Sequence, residues 1–216
     1  MRNHTFAPKE IYHVYNRGTE KRNIFTNTND YWRFLKNLFV CNSMKNVRLD
    51  DIVDVFEYDR GEPIVKILAY CLMPNHFHLL IEEIKEGGIS KFMQKLQTGY
   101  TMYFNKKFER SGVLFQGRFK SRHADSGNYA RYLFSYVHLN PINNRNIEKP
   151  KALNILNIHT FSSLQDYLGE EREQSKIVDT KRFSDLFQNK EAIINELFDW
   201  INLPQGPTLR SQSYEI

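Results

Sequence analysis

The sequence predicts an α+β domain, an antiparallel sheet with helices packed on one face, followed by a helical C-terminal extension. Three observations carry this. Short runs of alternating or continuous apolar residues are punctuated by turn residues, two of them forming a hairpin. Two long stretches repeat apolar residues at three- and four-residue spacing. After about Lys151 the pattern changes to short helical pieces.

The elements follow in order. Residues 10–16 (EIYHVYN) alternate and are rich in β-formers, so they read as a strand ending at the Arg17-Gly18 turn. Asn27 or Thr28 can cap a helix through Asn46, with Tyr31, Phe34, Leu35, Leu38 and Phe39 as its apolar stripe. Residues 52–58 (IVDVFEY) alternate as a strand, and Asp59 to Glu62 make a turn. Residues 64–72 are a more continuous apolar strand, as near the middle of a sheet, and Pro74-Asn75 separates it from a strand over 76–84. Gly87-Gly88 opens a long helix marked by Ile89, Phe92, Met93, Leu96, Tyr100 and Tyr103. Residues 113–122 read as a further strand, and Asp125 or Ser126 caps a helix from Gly127 towards Asn140, which Pro141 ends. The order β-α-β-β-α-β-α, with antiparallel hairpins and two long helices, indicates a ferredoxin-like sheet. Residues 161–168 and 190–201 are helical pieces of the extension. Residues 1–150 thus form one domain and residues 151–216 an appendage.

Composition narrows the function classes. With 216 residues, 41% of them hydrophobic and 14% aromatic, the chain can bury a substantial core and is not intrinsically disordered. The best apolar run, 64–73, is broken by Lys66 and falls short of the roughly 20 residues that a membrane helix needs. The opening residues lack the apolar stretch of a secretory signal, and Cys41 and Cys71 form neither a CxxC pair nor a disulfide framework. The expectation is a soluble, cytoplasmic protein with no membrane partner.

The net charge of +5 is modest but unevenly placed. Between Thr101 and Ala124, Lys106, Lys107, Arg110, Arg118, Lys120 and Arg122 face the single acid Glu109, so this segment holds the whole excess. Tyr103, Phe104, Phe108, Phe115 and Phe119 lie among them. Such a segment can neutralise phosphates and offer flat faces to unstacked bases. The same pattern also suits a solvated helix end followed by a strand whose aromatics face the core.

The densest chemistry is at Met73-Pro74-Asn75-His76-Phe77-His78. On a strand, residues two apart share a side, so His76 and His78 project together while Phe77 points the other way. Two imidazoles at this spacing can hold one divalent metal, or can form a hydrogen-bonded pair at a strand end. On the helix at 129–140, Tyr129, Leu133, Tyr136 and Asn140 lie near one stripe. A phenol and an amide four residues apart can approach the same point. A tyrosine can act as a nucleophile, and an amide oxygen is a hard ligand for Mg²⁺ or Mn²⁺ beside imidazole. Tyr136 could equally be a half-buried aromatic, and Asn140 a helix terminator.

Taken together these stretches resemble a known family. His76-Phe77-His78 matches the histidine–hydrophobic–histidine motif of HUH nucleases, and residues 136–141 (YVHLNP) resemble the nucleophile helix of their single-tyrosine transposases. YHVYNRG at 12–18, LMPNHFHLL at 72–80 and FQGRFKS at 115–121 fit the REP-associated tyrosine transposase branch, and the likeness runs over residues 10–144. The resemblance implies a metal-dependent single-stranded DNA endonuclease and strand transferase. Tyr136 would attack a DNA phosphate, leaving a 5′-phosphotyrosine link and a free 3′-hydroxyl. His76, His78 and Asn140 would ligate Mg²⁺ or Mn²⁺, with Asn140 standing where some relatives use glutamine. Single-stranded or hairpin DNA would be the substrate, held by the basic residues of 106–122, and the protein would be a monomer or homodimer. The competing readings are a DNA hairpin-binding protein that no longer cuts, and a metal-dependent nuclease whose nucleophile is water.

Overall fold

The strands β1 (Ile11–Arg17), β2 (Val65–Met73), β3 (His76–Glu83) and β4 (Lys120–His123) form one sheet in the order β2-β3-β1-β4. Each neighbouring pair is antiparallel. β3 therefore lies between β1 and β2, which run parallel to each other, as in the split βαβ unit of ferredoxin-like sheets. The computed structural model describes residues 5–142, 147–187 and 189–202. No helix among the described residues is long and apolar enough to cross a membrane.

The helices α1 (Thr28–Cys41) and α2 (Gly88–Lys107) cover one face, as expected of the two long helices. Phe34 and Leu38 of α1 and Phe92, Leu96 and Tyr100 of α2 meet Tyr12, Val14, Phe77, Leu79 and Ile81 of the sheet in one apolar core. Asn27 caps α1 by accepting from the Asp30 N–H at 3.2 Å. The opposite face carries α3 (Gly127–His138), capped by Ser126, whose hydroxyl accepts from the Tyr129 N–H at 3.2 Å. Beyond it come α4 (Lys149–Ile158), α5 (Leu164–Tyr167), α6 (Lys181–Ser184) and α7 (Lys190–Asn202). Leu133, Phe134 and Val137 of α3 share a second core with Leu68, Ala69 and Leu80 of the sheet and with Ala152, Leu156, Leu164, Phe183 and Leu197 of the later helices.

Three elements depart from the sequence reading. Residues 52–58 are not a strand; a single turn of 3-10 helix at Leu49–Asp51 leads into irregular chain. Their alternation belongs to a loop that plugs the helix layer, with Val55 and Phe56 buried, Phe56 lying 5.6 Å from the Phe39 ring, and Val53 exposed. The outer edge of β2 is closed to this loop, because the C-terminal segment occupies it. Leu72 donates to Phe161 O at 3.0 Å, Ser163 to Tyr70 O at 3.0 Å and Asp179 to Ile67 O at 2.9 Å. Second, α1 stops at Cys41 rather than Asn46. The Asn42 side chain leaves the helix to accept from the Ile64 and Val65 N–H groups, each at 3.0 Å, and fixes the start of β2. Third, the strand over 113–122 shrinks to Lys120–His123, because Gly117 takes a φ of +68° and breaks it.

Candidate active site

Strand alternation sorts the two faces of the sheet. Tyr12, Val14, Phe77 and Leu79 turn into the α1/α2 core, so His13, Tyr15 and Arg17 of β1 and His76 and His78 of β3 turn to the opposite face. The β1–β4 register places Lys120 opposite Tyr15 and Arg122 opposite His13, on that same face. The turn that launches β3 is clamped by the β1–α1 loop. Gly18 donates to Asn75 O at 2.9 Å, and Ile24 and Phe25 donate to Pro74 O at 2.8 and 3.0 Å. Gly18 has to be glycine there, since a Cβ would lie 2.3 Å from the Arg22 carbonyl oxygen.

Both motif histidines are gripped through Nδ1. His76 Nδ1 lies 2.6 Å from Asn75 Oδ1, and the same amide donates through Nδ2 to Lys21 O at 3.3 Å. The amide oxygen only accepts, so the proton sits on His76 Nδ1 and Nε2 carries a lone pair. His78 Nδ1 lies 2.8 Å from Nε2 of His13, and the two rings stack with centroids 5.0 Å apart. His78 Nε2 is buried without a hydrogen-bond partner. Burial holds all three imidazoles neutral. It lowers the pKa of His13 to about 3 with help from Arg122, and it also lowers that of His78 well below the ordinary imidazole value, with help from the neighbouring His13 and His76. His76 is lowered by burial, opposed by its contact with Asn140 and helped by Arg17.

The helix α3 brings Tyr136 to this pair. Its ring meets His13 and His78 edge-on, with both centroid separations 5.5 Å. Asn140 follows the end of α3 and donates through Nδ2 to Tyr136 O at 3.2 Å, which aims Oδ1 at His76 Nε2, 3.3 Å away. Two acceptors thus confront each other. A proton or a cation must separate them, and burial of His76 disfavours the proton at neutral pH. Among the described residues no group of three His, Cys, Asp or Glu is arranged to hold a metal. The donor set here is two imidazoles and an amide oxygen. Tyr132 packs against Trp200 of α7, 4.9 Å between rings, and Tyr129 stacks on Tyr132 rather than on the histidines.

The six basic residues do not share one surface. Lys120 and Arg122 lie on the face of the histidines, and Lys120 Nζ sits 6.0 Å over the Tyr15 ring. Arg118 is exposed in the loop after Gly117. Lys106, Lys107 and Arg110 lie at the end of α2, in the layer on the other side of the sheet. Lys107 pairs at 2.5 Å with the fully buried Asp30, and Arg110 is bonded to Asn105 at 2.7 Å and Val113 O at 3.0 Å. His13 and Arg17 were missed as functional candidates although both belong to the YHVYNRG stretch. The one available signal was their strand parity, since each stands an even number of residues from the other on a strand beside the motif.

A sheet of this order with paired histidines facing a helix-borne tyrosine defines a ferredoxin-like domain with a candidate active site on one face. The family model for IS200-like transposases matches residues 9–140, and the chain belongs to that family. In fold it is similar to a solved REP-associated tyrosine transposase bound to a REP hairpin, with a TM-score of 0.53 and 15% sequence identity, over 81% of this chain and 88% of that one. No curated protein matches it in sequence.

Proposed function

We propose that the chain is a metal-dependent single-stranded DNA endonuclease and strand transferase that works through a 5′-phosphotyrosine intermediate and takes DNA hairpins as substrate. One observation carries the reading: the buried, partnerless Nε2 of His78 and the facing acceptors His76 Nε2 and Asn140 Oδ1 converge beside Tyr136. These three atoms suit Mg²⁺ or Mn²⁺, which take imidazole and hard oxygen ligands together. When bound, such a cation would offset negative charge developing on the scissile phosphate. The bound hairpin of the structural neighbour supports the choice of substrate.

The chain's own residues do the rest. Asn75 holds His76 Nδ1, and His13 Nε2 lies against His78 Nδ1; with the proton of each motif histidine on Nδ1, both rings present Nε2 to a metal. The Tyr136 oxygen forms a bond to phosphorus as the phosphorus–O3′ bond breaks; the phenolic proton is lost and the departing 3′-oxygen takes one up. A later 3′-hydroxyl reverses the step and frees the tyrosine. Lys120 and Arg122 hold the strand backbone on the same face. Residues 1–150 are the catalytic domain, and 151–216 an extension that braces α3 through the Arg131–Glu196 ion pair at 2.5 Å and the Tyr132–Trp200 contact.

The test is incubation with labelled hairpin DNA carrying a single-stranded flank and Mn²⁺, followed by a denaturing gel. Wild type should form a covalent adduct. Tyr136→Phe should bind the DNA yet form no adduct and cut no strand, while Tyr129→Phe and Tyr132→Phe retain both. Cleavage by Tyr136→Phe would install water as the nucleophile, and tight binding without cleavage by wild type would leave a hairpin-binding protein.

A further inference from the structure

Arg17 closes β1 directly opposite His76 in the β1–β3 register, on the face of the histidine pair. Its Nη1 is buried and has no hydrogen-bond partner. No ion pair among the described residues includes Arg17. A guanidinium nitrogen withdrawn from water and left unpaired is costly, so such a group is usually found with a carboxylate or held ready for an anion. The site is also built rather than accidental. Gln116 accepts from Arg17 Nε at 2.5 Å, and its own backbone N–H donates to Arg17 O at 2.8 Å. One residue earlier, Asn16 donates to Gly117 O at 3.1 Å, and Gly18 bridges to Phe115. The YNRG and FQG stretches therefore interlock residue against residue. Their joint effect is to fix Nε while Nη1 is left without a hydrogen-bond partner. A planar fork of this kind matches the paired oxygens of a phosphodiester better than any monodentate cation.

We propose that Arg17 forms a phosphodiester-binding subsite beside the histidine pair, its guanidinium donating to non-bridging oxygens of a DNA strand laid along β1 and β4. The subsite rests on the DNA-processing reading above and adds to it the residue that seats the backbone next to His76. Its charge is felt there, since Arg17 contributes to lowering the pKa of His76. Tyr15 lies between Arg17 and His13 along the strand, opposite His78 and stacked on it at 5.7 Å, and Lys120 over its ring extends the same face towards β4.

The experiment measures binding of a fluorescein-labelled DNA hairpin with a single-stranded oligothymidylate flank, by anisotropy over a salt series, and Mn²⁺ affinity by electron paramagnetic resonance. Arg17→Gln should weaken DNA binding about tenfold, as for loss of a charge-assisted hydrogen bond, with Mn²⁺ affinity unchanged. It should also flatten the log–log salt dependence by about 0.7, the share of one phosphate contact on a single strand. Arg17→Lys, which keeps the charge and loses the fork, should restore the slope but not the full affinity. If Arg17→Gln binds DNA like wild type while Lys120→Gln and Arg122→Gln do not, the subsite is wrong and the DNA reading stands. If Mn²⁺ affinity falls in step with DNA affinity in both Arg17 variants, Arg17 merely braces the strand end and the subsite is again wrong. If wild type itself fails to bind the hairpin, the DNA reading falls and takes the subsite with it.

Discussion

The two faces of the sheet are made from alternate residues of the same strands, yet one is packed into an apolar core and the other carries a cluster of polar side chains at one end. On the α1/α2 side, Tyr12, Val14, Phe77 and Leu79 are each at most 2% exposed and lie among apolar neighbours. On the other side, Phe134 of α3 and side chains of the later helices cover Leu68 of β2 and Leu80 of β3, and the near end carries His13, Arg17, His76 and His78. The difference teaches that a polar site can be held in place by a core it does not share. Phe77 is anchored at 5.0 Å from Phe34 and 5.8 Å from Phe115, and its strand neighbours on both sides are the motif histidines. The rigidity of one face sets the geometry of the other.

The sharpest break between the faces compares adjacent residues. Phe77→Ala empties a fully buried aromatic site and should cost about 4 kcal/mol of stability by urea unfolding, which is typical of core Phe truncations. His78→Ala should cost about half of that or less, since it leaves His13 Nε2 without its partner but deletes an atom that had none. It should nonetheless abolish Mn²⁺ binding measured by calorimetry. Equal losses of stability would mean that both residues are core and that the faces do not differ.

The second contrast separates basic residues by layer. Lys107 serves Asp30, whose buried carboxylate also accepts from Thr26 and Tyr103. Lys107→Met should therefore lower stability by about 2 kcal/mol, the range for a hydrogen bond to a charged group, and barely change DNA affinity. Lys120→Gln and Arg122→Gln should do the reverse, with stability kept and salt dependence flattened. Burial tends to raise the Asp30 pKa, but the bonds from Lys107, Thr26 and Tyr103 prevail and hold it below the ordinary value.

The last contrast concerns pH. His13 and His138 are buried neutral, each with its pKa lowered by desolvation to about 3. Their folded values lie below the unfolded value of about 6.5, so between the two the unfolded chain binds more protons than the native one. Stability should be level above about pH 6.5 and should fall as the pH drops towards 3, by up to about 1.4 kcal/mol per unit for each such group. His138 donates or accepts only within the protein, at 2.8 Å from Ser163 Oγ, so His138→Gln should make the decline shallower. An unchanged slope in that variant would place the acid sensitivity elsewhere.

Much of this was legible in the sequence because it is local. The two-residue period put His76 and His78 on one side and Phe77 on the other, and the structure has them so. The four-residue spacing put Tyr136 and Asn140 on one stripe, and the Asn140 amide does bond back to Tyr136, though to its backbone carbonyl rather than to the phenol. Helix caps at Asn27 and Ser126 were written in their side chains. Residues 52–58 read as a strand because a loop that plugs a core also uses β-formers; there the adjacent Val55 and Phe56 are both buried and Val53 is exposed, so burial does not follow a two-residue period.

What the sequence by itself determined is whatever depends on short separations: periods, caps, turns and the side on which the histidine pair projects. What only the tertiary structure decided depends on register between segments far apart in the chain. His13 reaches His78 across 65 residues, and Arg17 reaches Gln116 across 99. The C-terminal segment settles on the edge of β2, bonding Ser163 to Tyr70 across 93 residues, and so denies that edge to residues 52–58. The basic run from Lys106 to Arg122 is continuous in sequence but is divided by the sheet into two layers. Such pairings are fixed by which buried faces fit together and which polar groups would otherwise go unpaired, and that competition is settled only when the whole chain has folded.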